Sequence, residues 1–232
     1  MTTSEPAHRG VTLAGPAGSL EALFWDVPSD VAKPQFAAVV CHPHPLFGGT
    51  MHNKVVYQTA KTLHGAGLPV LRLNFRGVGL SQGAHDAGRG EQDDVRAALD
   101  FLAARFPRVP LLAAGFSFGA WVGLRVGCED ARVAALAGLG MPVASVDVSY
   151  LSSCVKPKLL VSGDHDQFAP KEKLEGMLAA MPARVKARTE MIFIAGADHF
   201  FTGRLEEVDR ALLAWLDAQR AEIRSEQAEK GT

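Results

Sequence analysis

The residues best placed to do chemistry are the five of Gly115-Phe116-Ser117-Phe118-Gly119, which follow directly on the apolar run Leu111-Leu112-Ala113-Ala114. A serine at a sharp strand-to-helix turn projects its hydroxyl above the sheet. The turn also brings the flanking backbones so close that only small residues fit two positions away on either side. Gly115 and Gly119 meet that requirement, and Ala120-Trp121-Val122-Gly123-Leu124-Arg125-Val126 is apolar enough for the buried helix that should follow. This context separates the pattern from a chance occurrence in a chain with 23 glycines. Such a serine becomes a nucleophile only if a base takes its proton and a third group orients the base.

Both partners are available downstream. Lys158-Leu159-Leu160-Val161-Ser162 reads as a strand that runs into Gly163-Asp164-His165-Asp166-Gln167-Phe168-Ala169-Pro170, and Thr189-Glu190-Met191-Ile192-Phe193-Ile194 as another, followed by Ala195-Gly196-Ala197-Asp198-His199-Phe200-Phe201. In a parallel α/β sheet the functional loops lie beyond the carboxyl ends of the strands, so Ser117, the acidic loop and His199 should converge on one edge. Asp164 and Asp166 compete for the orienting role. The alternative for either is a turn residue whose carboxylate accepts nearby backbone N–H groups. His165 reads as solvated, and Asp198 as a residue that shapes its loop.

The elements that must position these groups can be read from periodicity. Two leading strands near Val11 to Ala14 and Leu20 to Trp25, paired antiparallel, precede an alternation of strands and helices. Strands are expected near 36–41, 69–74, 110–115, 133–138, 157–162 and 189–194. Val95, Leu99, Leu102 and Phe106 recur at helical spacing, as do Leu205, Val208, Leu212 and Trp215, and both stripes read as core. Alternation of this kind predicts an α/β fold: a mostly parallel eight-stranded sheet with helices on both faces.

Four segments occur in one order: Cys41-His42-Pro43-His44-Pro45-Leu46-Phe47-Gly48-Gly49-Thr50-Met51-His52-Asn53-Lys54, then Leu73-Asn74-Phe75-Arg76-Gly77-Val78-Gly79, then the serine turn, then the acidic and histidine loops. In this the chain resembles the α/β-hydrolases. More narrowly, it is similar to the small lidless bacterial hydrolases, esterase-like or dienelactone-hydrolase-like, that carry a His-Pro-His-Pro-Leu-Phe-Gly-Gly segment. The resemblance covers nearly the whole chain and implies an α/β-hydrolase fold and a serine hydrolase of esterase type, with Ser117 as nucleophile and His199 as base; substrates vary widely across such families. Members typically place the acid three residues after the glycine that ends its strand. Counted from Gly163 this implies Asp166, with Asp164 second.

Acyl transfer also needs donors aimed at the developing oxyanion. One is expected from the backbone N–H of Phe118, in the first helical turn where it has no intrahelical partner. The second should come from the loop after the strand Phe36 to Cys41. Pro43 and Pro45 have no N–H, which leaves Leu46 as first choice, with Phe47 and His44 behind it. Loop position suggests apolar substrate-binding walls at Leu46, Phe47, Phe75, Phe118, Met141, Phe168 and Phe200. The interval from Gly140 to Lys156 is too short for a separate cap, so the site should be open. His42 and His44 have a spacing that could suggest a metal, but metal sites usually need a third ligand and the prolines fix these histidines in an extended loop, so neither a metal nor a cofactor is expected. Arg76 reads as an ion pair that ties loops together, with a substrate carboxylate as its other use. The Gly77 to Gly83 stretch reads as a turn and not as a phosphate loop.

The chain of 232 residues, 47% hydrophobic and 21% charged, suits one catalytic domain over residues 1–220, with 221–232 a charged tail expected to fray or be disordered. A formal net charge of −1 gives no electrostatic argument for nucleic acid or an anionic membrane. No stretch reads as a membrane span and Met1 to Pro6 lacks the features of a signal peptide. Cys41, Cys128 and Cys154 are too few for a disulfide framework, so a reduced cytoplasm fits best. The expected partner is a small-molecule ester, with association into a homo-oligomer left open. Two function classes remain: a working serine hydrolase, on carboxylesters first and then on thioesters or peptide-related acyl groups, and a non-catalytic hydrolase-fold binding protein.

Overall fold

Strands buried on both faces set the architecture. In the computed structural model, which describes residues 8–27 and 34–230 and only the backbone of 223–230, every residue of β3 (Ala37–Cys41), β4 (Val70–Leu73), β5 (Leu111–Phe116) and β7 (Lys158–Gly163) is buried. Such strands must lie inside a sheet covered on both sides. With β1 (His8–Gly15), β2 (Gly18–Trp25), β6 (Val133–Leu139) and β8 (Thr189–Ile194) they form one eight-stranded sheet of order β1-β2-β4-β3-β5-β6-β7-β8. Pairing is antiparallel for β1 with β2 and for β2 with β4, and parallel from β4 to β8.

Strand periodicity sorts the core into two layers. Ala37, Val39 and Cys41 of β3 and Leu111 and Ala113 of β5 share one layer with Val95, Leu99 and Leu102 of α2 (Gly90–Arg105) and Val122, Leu124 and Val126 of α3 (Phe118–Glu129). The alternate residues Ala38, Val40, Leu112 and Ala114 share the other with Val55, Val56 and Leu63 of α1 (Lys54–Gly65) and Val208, Leu212 and Trp215 of α6 (Leu205–Lys230). The remaining helices, α4 (Lys171–Ala180) and α5 (Ala183–Lys186), lie between β7 and β8. α6 continues through most of the stretch expected as a frayed tail; the expectations for Met1 to Pro6 and for residues 231–232 lie outside the described residues.

Parallel register brings the functional loops together. Cys41 pairs with Gly115, Phe116 with Leu139 and Gly163 with Ile194, so the loops after β3, β5, β6, β7 and β8 leave the sheet on one edge. Between β6 and β7 the chain forms only turns and a short 3₁₀ helix at Ser149–Ser152, leaving that edge without a cap. No helix among the described residues is long and apolar enough to cross a membrane.

Candidate active site

Ser117 sits at φ 55°, ψ −121°, a conformation that side chains rarely adopt. Its N–H donates to the Leu139 carbonyl (2.8 Å) and its own carbonyl accepts from Trp121 N–H (3.1 Å), so the turn is held from the neighbouring strand and from the helix it starts. The glycines are needed for close approach: a Cβ on Gly115 would be driven into the Gly119 carbonyl, and one on Gly119 into the carbonyls of Cys41 and His42.

The serine, the histidine and one aspartate form a chain of hydrogen bonds. His199 Nε2 lies 3.0 Å from Ser117 Oγ, and His199 Nδ1 lies 2.8 Å from Asp166 Oδ2. Because a carboxylate only accepts, the proton on this edge belongs to Nδ1, which leaves the Nε2 lone pair facing the hydroxyl. Asp166 is 3% exposed, and its Oδ1 accepts the N–H groups of Phe168 (2.8 Å) and Ala169 (3.1 Å). The imidazole is enclosed by the rings of Phe116, Phe168 and Phe200, at 5.0, 4.7 and 5.2 Å. Asp164 is not in this chain: its Oδ1 accepts Gly196 N–H (2.7 Å), which ties the acidic loop to the histidine loop. His165 is largely exposed. Asp198 shapes its own loop through Phe200 N–H, Thr202 N–H and the Thr202 hydroxyl.

The loop after β3 corrects one expectation. Leu46 N–H donates to His44 Nδ1 (3.2 Å), while the N–H groups of Phe47, Gly48 and Gly49 donate to the carbonyls of His44, Pro45 and His44 in a tight 3₁₀ turn at Pro45–Phe47. Leu46 is thus committed inside the turn, and the residue is 70% exposed and does not line the cavity. From His44 to Gly49, the one N–H without a partner among the described residues is that of His44, a cavity residue. Phe118 N–H likewise has no such partner at the start of α3.

A cavity of about 620 Å³ opens beside Ser117 and His199. Phe47, Phe118, Phe168 and Phe200 line it. Phe75 and Met141 do not: both are buried in the core, Phe75 as a floor 4.7 Å from the His42 ring and 5.7 Å from that of Phe118. Being near the end of a strand fixes where such a residue starts, whereas the pleat decides which way it points.

Several contributors escaped the sequence reading. Trp121 lines the cavity; its position three residues after Phe118, on the same helical face, was an available signal. His85 and Pro142 also line it, from loops with no periodicity to read. His42 is fully buried, accepting Phe75 N–H at Nε2 (3.0 Å) and donating from Nδ1 to the Pro43 carbonyl (2.6 Å), so it pins the loop after β3 to the loop after β4. Burial pushes its pKa down to about 4 against the opposing pull of the Pro43 carbonyl, so it stays neutral. Burial also lowers the pKa of His44, with His85 adding to the shift. Arg76 closes a multidentate ion pair on buried Asp94 (2.8–3.1 Å) and does not line the cavity. No cluster of metal-ligating side chains occurs among the described residues.

Comparison with known proteins bears on the family and the fold. A family model described as an alpha/beta hydrolase domain matches residues 38–223. An uncharacterized protein of Rickettsia prowazekii is 36% identical over 207 residues, which cover 87% of this chain and 86% of that protein. Among solved structures, an α/β serine hydrolase homologue from Coxiella burnetii is 36% identical with a TM-score of 0.81, covering 89% of this chain and 96% of its own. An α/β serine hydrolase without a lid from Xanthomonas campestris is 34% identical with a TM-score of 0.83, covering 93% and 96%. Kinship of this extent, in sequence and in fold, leaves one conclusion: the chain belongs to the α/β-hydrolase family.

Proposed function

We propose that the protein is a carboxylester hydrolase for small or short-chain acyl groups, working through an acyl-enzyme on Ser117. The observation that carries this reading is the continuous line from Ser117 Oγ through His199 to a buried, doubly hydrogen-bonded Asp166, at the edge of a largely apolar cavity. As Ser117 Oγ attacks the ester carbonyl carbon, its proton passes to His199 Nε2. Asp166 holds the ring in the required tautomer and stabilises the imidazolium that forms. Negative charge builds on the carbonyl oxygen, towards which the N–H groups of Phe118 and His44 are available as donors. Collapse of the intermediate breaks the ester C–O bond, and the departing alkoxide takes the proton from His199. Water then repeats the sequence on the acyl-enzyme, with His199 again as base, releasing the acid and restoring Ser117.

A fluorophosphonate probe should label the wild type and not Ser117→Ala. Hydrolysis of p-nitrophenyl butyrate should fall by roughly 10⁴- to 10⁶-fold in that variant without loss of the folded circular-dichroism spectrum. An unlabelled wild type would instead favour a binding protein. Acyl thioesters assayed beside matched oxygen esters test the ester preference directly, and a preference of more than about tenfold for the thioesters would overturn it.

A further inference from the structure

Two histidine–carboxylate pairs border the cavity, and only His199–Asp166 faces the serine. The second is His85 with Glu91. Glu91 is fully buried in the first turn of α2, where its Oε1 accepts Asp86 N–H (2.9 Å) and its Oε2 accepts Gly88 N–H (2.8 Å). His85 Nδ1 lies 2.8 Å from Oε1, in a close polar contact although not aligned as a hydrogen bond. A lone pair facing a carboxylate oxygen at that distance would be repelled, so in the neutral ring the proton is on Nδ1 and Nε2 is an acceptor. Nδ1 is buried while the ring lines the cavity, so the edge offered to a guest is the one that carries Nε2, for which the described residues supply no partner.

The mechanism says which part of a substrate meets this edge. The departing alcohol must lie within reach of His199 Nε2, on the side of Phe168 and Phe200. We infer that the acyl group takes the other cluster of lining rings, where Phe118 meets the rings of His44, Trp121 and His85 at centroid distances of 4.9, 5.7 and 5.6 Å. Flat aromatic walls suit an aryl group. The Glu91 carboxylate behind His85 makes Nε2 a better acceptor and repels a second carboxylate, so a neutral donor on that aryl group is favoured over an acid.

We propose that His85, backed by Glu91, is a specificity-determining residue whose Nε2 accepts a hydrogen bond from the hydroxyl of a hydroxyaryl acyl group, making esters of small hydroxyaryl acids preferred substrates. This deepens the esterase reading and rests on it. The test uses p-nitrophenyl esters of para-hydroxyphenylpropanoic acid, its para-methoxy analogue and phenylpropanoic acid. In the wild type the hydroxyl ester should exceed both others in kcat/KM by about 3- to 10-fold, the range of one neutral hydrogen bond. In His85→Phe, which keeps a ring and removes the acceptor, that ratio should fall to within about twofold of unity. No hydroxyl preference in the wild type, or a preference that persists in His85→Phe, overturns the proposal. A second measurement needs neither turnover nor the His85 variant. In Ser117→Ala, titration followed by tryptophan fluorescence, with Trp121 the tryptophan that lines the cavity, should show para-hydroxyphenylpropanoate binding about 3- to 10-fold more tightly than phenylpropanoate, and equal affinities overturn the proposal. Fluorophosphonate labelling of the wild type separates the failures: a labelled enzyme without hydroxyl preference removes the role of His85 alone, whereas an unlabelled one removes the esterase reading.

Discussion

Asp166→Asn should cripple the enzyme while Asp164→Asn should barely disturb it, although the two aspartates are separated by one residue. The Asp166 carboxylate is shared: Oδ1 accepts two backbone N–H groups and Oδ2 accepts His199 Nδ1–H. An asparagine has one oxygen to meet both demands. If it faces Phe168 and Ala169 N–H, the amide NH₂ faces His199 and forces the proton from Nδ1 to Nε2, leaving no lone pair for the Ser117 proton. If it faces His199, the NH₂ is pressed against two N–H donors at a site only 3% exposed. Two backbone bonds against one select the first arrangement, which is the wrong tautomer. The wrong tautomer in such a relay costs about 10⁴-fold in kcat, equivalent to about 5.5 kcal/mol of transition-state stabilisation.

Asp164 makes a different demand. It accepts one N–H, that of Gly196, from a half-buried position, and an asparagine oxygen can still accept it, though more weakly. The loss in kcat should stay within about threefold, the scale of a weakened neutral hydrogen bond. Steady-state kinetics of both variants on p-nitrophenyl butyrate give the comparison. Losses of similar size, or a larger loss at Asp164, would refute the assignment of the orienting carboxylate and the tautomer reasoning with it.

Three further outcomes are expected. Ser117→Gly removes the side chain from a backbone conformation at φ 55° and should raise Tm by roughly 2–4 °C while abolishing ester hydrolysis, since relief of such strain is worth about 1 kcal/mol or more; an unchanged or lower Tm in calorimetry contradicts stored strain at Ser117. His42 is held neutral with a pKa of about 4 against 6.5 in the unfolded chain. As pH falls through that window the unfolded chain gains a proton that the folded chain refuses, so this group alone removes on the order of 3 kcal/mol of stability; urea titrations from pH 7 to 4 should show a shallower loss in His42→Leu, and equal slopes would refute it. Without a cap, kcat/KM for p-nitrophenyl esters should rise over the first few acyl carbons, by up to about 0.8 kcal/mol per buried methylene, and then level off or fall; a rise continuing to palmitate, or a jump at the onset of micelles, would mean that something covers the site.

The difference between what was legible in the sequence and what was not lies in the range of the forces involved. β3, β5 and β7 were readable because burial on both faces demands a mostly apolar run, broken in β7 only by Lys158 and Ser162, and a parallel sheet then has one edge at which Ser117, Asp166 and His199 can meet. α6 was legible to its end in principle: the stretch Ala218 to Lys230 is rich in Ala, Glu, Gln, Arg and Lys, all strong helix formers, and its charge reads as an exposed helix as readily as a loose tail. Leu46 was chosen by removing the residues that cannot donate. That test asks which N–H groups exist; the fold decides which remain free. In the Pro45–Phe47 turn the His44 carbonyl and ring capture the N–H groups of Leu46, Phe47 and Gly49, the Pro45 carbonyl captures that of Gly48, and the donor left over is that of His44 itself. The same turn carries the stretch through Gly49 back against the loop, since a Cβ there would strike the Pro43 carbonyl. In a loop this tight the donors open to a ligand are those its internal hydrogen bonds do not consume, so they can be found only once every bond within the loop is known.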